Sequence, residues 1–154
     1  MPELLRDSLR EVLYGPDGLT GLFSARGEGL LHTLHAFTVQ QARTPPAPGL
    51  AAPAQVALHL RHTLEFTAAH LSDPHALLTD ETDPWTWSPA GESAWRAELV
   101  KLAQAGQALY DALYLPLNLE ARREAHGAVV FAATRAAVLR ARLLILQATP
   151  EPPP

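Results

Sequence analysis

The chain has 154 residues, a formal net charge of −4, 47% apolar and 18% charged residues, seven histidines, fourteen prolines and no cysteine. That length and apolar content fit one folded domain with a sizeable core and exclude a disordered chain. The missing cysteine excludes disulfides, a thiol nucleophile and cysteine-ligated zinc, and the mild acidity argues against a protein held on nucleic acid through phosphate contacts.

The first ten residues carry Glu3 and Asp7 and hold no long apolar run, which speaks against a secretory signal. A short helix is expected over Glu3–Tyr14, ended by Gly15-Pro16. From there the prolines divide the chain. They leave four long proline-free segments, Asp17–Thr44, Ala54–Asp73, Ala90–Leu115 and Leu117–Thr149. A proline inside a helix costs about 3 kcal/mol, because it lacks a donor and clashes with the preceding turn. Four helices are therefore predicted in these segments, with joints at residues 45–49, Asp83-Pro84, Ser88-Pro89 and Leu115-Pro116.

Periodicity supports the division. In the first segment Leu19, Phe23, Leu30, Leu34 and Phe37 form a stripe. In the second, Val56, Ala57, Leu60, Leu64, Ala68 and Leu71 share a face, opposite Arg61, His62 and Glu65. The third repeats Leu99, Leu102, Leu109 and Leu113, with Trp95 near its start. The fourth is apolar over much of its circumference, as expected of a central helix or one that also meets a partner subunit. The prediction is an all-α four-helix bundle over residues 1–149, with a short extra N-terminal helix and a long loop, bearing Trp85 and Trp87, that crosses over between helices two and three. Residues 150–154 read as a flexible proline-rich tail. No apolar stretch reaches the roughly 20 residues of a membrane span, so a soluble cytoplasmic domain is expected.

Histidine is the plentiful reactive side chain. His32 and His35 are three residues apart, as are His59 and His62, so each pair could grip one metal ion. A hairpin turning near Pro48 would bring His35 level with Arg61. The alternative is that these histidines simply lie on polar faces. His70 and His75 read as solvated or capping groups, and Glu92, Glu98, Asp111 and Glu124 as solvated carboxylates. Glu-x-x-His pairs, a glycine-rich phosphate loop, His-Glu-x-x-His and Gly-x-Ser-x-Gly are all absent.

Two stretches resemble a known family. Residues 57–64 (Ala-Leu-His-Leu-Arg-His-Thr-Leu) are similar to the helix-two signature of DinB/YfiT-like bundles, and residues 131–140 (Phe-Ala-Ala-Thr-Arg-Ala-Ala-Val-Leu-Arg) resemble their helix-four signature, His-x-x-x-His followed five residues later by Arg. The proline-rich joint, the tryptophan-bearing loop and Trp95-x-x-x-Leu99 fall in the same order, so the resemblance covers roughly Leu19 to Leu146. It implies a four-helix bundle, frequent dimerisation, and a divalent zinc or nickel ion held by one histidine of helix two and two of helix four, in thiol transferases or metal-dependent hydrolases.

The chain departs from that pattern. With Arg140 aligned to the family's arginine, Phe131 and Arg135 stand where the helix-four histidines would be, and a shift by one residue gives Val130 and Thr134. His59 or His62 keeps the helix-two position, and His59 is favoured because it flanks the apolar face. His126, five residues before Phe131, is turned about 140° from it. Arg135 is a fixed positive charge at a former cation position. It anchors an anion, or it is neutralised within the chain by a carboxylate such as Glu65, Glu124 or Asp111, or its stem snorkels to solvent. Three functions remain in view. The first is a dimeric, metal-free binding or interaction protein for a small molecule, an anion among the candidates, with His59, Phe131 and Arg135 as its site. The second is an enzyme with Zn or Ni on a rearranged set of His59, His62, His32 and His35. The third is a structural dimer.

Overall fold

The computed structural model describes residues 2–149. The tail expected at 150–154 lies outside the described residues. Six helices appear among those described: α1 (Pro2–Tyr14), α2 (Leu30–Ala36), α3 (Val39–Arg43), α4 (Pro53–Ser72), α5 (Glu92–Ala112) and α6 (Leu119–Ala148). No strand is present among them beyond an isolated antiparallel bridge between Thr20 and Ala25.

The three later helices form within the segments that proline leaves free. Pro53 sits in the first turn of α4, where its missing N–H has no partner to lose. The side chain of Asn118 opens α6 by accepting from the Ala121 N–H at 2.9 Å. Gly15, at φ +86°, ends α1 where expected, since only glycine adopts that backbone cheaply.

The first long segment behaves differently. Residues 17–44 do not form one helix. Gly18, Gly21, Gly27 and Gly29 fall within its first half, each about 1 kcal/mol worse than alanine in a helix. This stretch is instead a loop held by Glu11, whose carboxylate accepts from the N–H groups of Leu22, Phe23 and Ser24. The predicted stripe is broken accordingly. Leu30, Leu34 and Phe37 are buried, but Leu19 and Phe23 are 76% and 50% exposed. Thr38 divides the remainder. Its hydroxyl accepts from Gln41 N–H while the Gln41 side chain accepts from Thr38 N–H, a capping box that stops α2 and starts α3.

Packing places α6 against α1, α2 and α4, and the most extensive contact joins α4 to α5. The loop of residues 73–91 therefore joins two neighbouring helices and folds over α4, rather than crossing between distant ones. α2, which carries His35, packs mainly on α1, α5 and α6, and it is α3 that meets α4 across the joint at residues 45–49. The core is built from Leu9 and Leu13 of α1, Leu30 and Leu34 of α2, Leu60 and Leu64 of α4, Trp95, Leu99, Leu102 and Leu109 of α5, and Leu139 of α6. Gly106 lets α1 approach α5, since a Cβ there would collide with the Leu13 side chain. α6 spans 30 residues, about 45 Å, against 20 and 21 for α4 and α5. Near its C-terminus Leu144, Ile145 and Leu146 are exposed. Among the described residues no helix is long and apolar enough to cross a membrane.

Candidate functional site

The sequence places His59 on the second helical segment and Phe131 and Arg135 on the fourth, and the packing of α4 on α6 brings the three together. The His59 ring meets Phe131 edge-on, with centroids 5.5 Å apart and planes at 86°. The guanidinium carbon of Arg135 lies 4.9 Å from the centroid of Phe131, a cation–π arrangement worth about 0.5–1 kcal/mol at a partly exposed position. Trp85, from the loop over α4, closes the other side of His59, with ring centroids at 4.7 Å and planes tilted by 50°. Gln55 fixes that loop by donating to the Trp85 carbonyl at 2.6 Å. Trp85 is the wall that sequence reasoning missed, because nothing in a loop's sequence states where it lands.

Electrostatics follow from this setting. Desolvation first, then the positive charge of Arg135, then His62, hold the His59 pKa below its ordinary value. His59 is thus a neutral imidazole at neutral pH. Arg135 has no carboxylate partner among the described residues. The three carboxylates named as its possible partners are engaged elsewhere: Glu65 with Arg61, Glu124 with His70, and Asp111 with Gln107. Two turns along α6, Arg142 donates from Nη1 to the Ala51 carbonyl at 2.9 Å. Burial first, then the charge of Arg135, depress the Arg142 pKa. The face therefore carries two guanidiniums and one neutral histidine.

This donor set does not fit a three-histidine metal centre. A neutral imidazole, a phenyl ring and a guanidinium stand at the three positions, and only the first can donate to a cation. The rearranged set is not assembled either. His32 and His35 are exposed on α2, away from His59 and His62 on α4. Among the described residues no group of three or more His, Cys, Asp or Glu side chains is gathered to hold a metal ion.

His62 points elsewhere, and here the structure corrects the predicted solvent face of α4. Arg61 and His62 are buried, under the loop of residues 73–91 and against α5. Arg61 donates to Glu98 at 2.5 Å, to Asp80 at 2.6 Å and to Glu65 at 3.0 Å. Burial works against the guanidinium charge, but the hydrogen bonds to Glu98, Asp80 and Glu65 outweigh it and raise its pKa. Thr82 and then Arg61 hold the Asp80 carboxyl well below the usual range. Glu98, read from sequence as solvated, is as deeply buried as Arg61. The i, i+4 spacing of Arg61 and Glu65 was the available signal; Glu98 and Asp80 gave none. His70, read as solvated or capping, ties the end of α4 to α6. Its Nδ1 lies 2.8 Å from Glu124 and its Nε2 2.7 Å from the Pro74 carbonyl. Both neighbours are acceptors, so the imidazolium satisfies them best, and Glu124 first of all raises its pKa.

Compared with known protein families, with curated proteins and with solved structures, the chain matches none.

Proposed function

We propose that this chain is a metal-independent, DinB/YfiT-like helical-bundle protein that binds a small anionic molecule on the α4–α6 face, with Arg135 as the anchor and His59, Phe131 and Trp85 as walls. The observation that carries this reading is Arg135 itself. Its guanidinium rests on the Phe131 ring, beside a neutral His59, with no carboxylate partner among the described residues. A guanidinium with free donors seeks two oxygens in its plane, which a carboxylate or phosphate supplies. The resemblance of residues 57–64 and 131–140 supports the bundle type, and the substitutions at Phe131 and Arg135 support a departure from metal chemistry.

Thermal melting against inorganic phosphate, acetate and hexanoate tests the proposal. Ligand at 100 times Kd adds about 2.7 kcal/mol, or about 5–10 °C for a chain of this size. Arg135→Met is expected to abolish the shift produced by phosphate. A panel in which no anion moves the transition overturns the reading. Metal analysis of protein purified without chelators supplies the complementary test, because about one equivalent of tightly held Zn or Ni, lost on His59→Ala, favours the family enzyme instead. We further propose a homodimer through exposed α6 residues such as Val130 and Leu144. Sedimentation of Val130→Glu as a monomer and of wild type as a dimer checks it.

A further inference from the structure

The stripe of α6 that carries Phe131 and Arg135 continues through Arg142 to the end of the helix. There it meets a cleft of about 380 Å³ between α6, α3 and the proline-rich joint. Its walls are mostly apolar, with Phe37, Pro45, Pro46, Pro53, Ile145 and Leu146, and α3 and its end add Gln40, Gln41 and Thr44. At this volume it falls at the low end of the roughly 300–1,000 Å³ of small-molecule sites. Arg142 lines the same cleft. One of its terminal nitrogens, Nη1, is spent on the Ala51 carbonyl. The opposite edge of the guanidinium, Nε and Nη2, has no hydrogen-bond partner among the described residues and remains accessible.

We infer that this cleft is a second site, distinct from the Arg135 face, for an amphipathic monocarboxylate, a medium-chain or arylalkyl carboxylic acid, with its carboxylate on the free edge of Arg142 and its hydrocarbon tail in the cleft beside Ile145. The cleft lies two turns of α6, about 10 Å, from Arg135, and its reading is independent of the anion site proposed above. Two parallel N–H donors at one edge match the two oxygens of a carboxylate. A phosphate would carry a third oxygen and more charge into surroundings of proline and phenylalanine, where unpaired polar atoms are costly. Arg135, two turns away on the same stripe, adds a second positive charge with no carboxylate of its own among the described residues. The length of α6 explains why the cleft exists: its last turns carry Ile145, which is 67% exposed, and Leu146 past the joint at Pro45 and Pro46.

Calorimetric titration with butanoate, hexanoate, octanoate and decanoate, below their micelle concentrations, reads the tail directly. Affinity is expected to rise about three- to fourfold per added methylene, the increment for burying one CH₂. Arg142→Met is expected to weaken every member by about tenfold or more, the loss of a charge-assisted hydrogen bond. Ile145→Asn changes an exposed residue and adds no charge beside Arg142, so its fold is expected to survive, with wild-type helicity and melting as the check. It is expected to flatten the chain-length series while leaving acetate unchanged. A flat series in wild type, with phosphate and acetate still bound through Arg135, overturns this inference and leaves the anion site standing. A chain-length dependence that survives Ile145→Asn also overturns it, since the tail then lies elsewhere. Loss of all anion binding overturns both.

Discussion

Arg61 and Glu98 are each 4% exposed, so the sharpest stability prediction concerns this pair. Arg61→Met removes the cation and strands the Glu98 carboxylate inside the protein. Breaking a buried ion pair from one side costs about 3–5 kcal/mol. The other two arms, to Glu65 and Asp80, are about a third exposed and add at most about 1 kcal/mol each, because solvent screens them. At about 2–4 °C per kcal/mol for a chain of this size, the midpoint is expected to fall by about 6–20 °C. Removing both charges should cost far less. Arg61→Met combined with Glu98→Leu leaves no buried ion, and replacing a buried pair by apolar side chains is often neutral. The expected coupling between the two substitutions is therefore about 2 kcal/mol or more in favour of the double variant. Urea denaturation followed by circular dichroism measures all four corners of the cycle, with thermal melts as a second readout. A cost below about 1 kcal/mol for Arg61→Met, or a double variant no more stable than the sum of the singles predicts, refutes the reasoning.

The two perturbed histidines predict opposite pH dependences. His70 has a raised pKa, so its contribution is fully present below about pH 6.5 and is lost as pH rises through its folded value. Wild type should therefore exceed His70→Gln most at low pH, with the gap closing as pH rises. His59 has a lowered pKa, so the unfolded chain takes its proton first and stability falls as pH drops below about 6.5. Relative to His59→Gln, wild type should gain as pH rises through that range, and melting curves from pH 5 to 9 distinguish the two signs. A third prediction converts the site. Phe131→His with Arg135→His places two imidazoles one turn apart beside His59 and is expected to bind Zn or Ni at one equivalent, measured by calorimetry. No metal uptake by this well-folded variant would show that α4 and α6 are not in metal-binding register.

Much of the architecture was legible because helix formation is local. Proline and glycine act on the backbone where they stand, so the bounds of α4, α5 and α6 and the stop at Gly15 could be read from the residues themselves. The error over residues 17–44 was local too. The absence of proline permits a helix without enforcing one, and four glycines with a Thr38–Gln41 cap were sufficient to prevent it. His59 meets Phe131 because α4 packs on α6, and Phe131 meets Arg135.

What the chain could not disclose depends on surfaces far apart in sequence. Arg61 and His62 look like a solvent face until a loop and a neighbouring helix cover them, and Glu98 looks solvated until α5 lies against α4. Whether Arg135 is neutralised depends on which carboxylate reaches it, and the fold spends Glu65, Glu124 and Asp111 on other partners. The sequence by itself determined where this chain is helical, because backbone propensity, caps and apolar period act within a few residues. Only the tertiary structure decided which charges are buried and paired, and which guanidinium is left with donors to offer, because those are properties of the distances between helices.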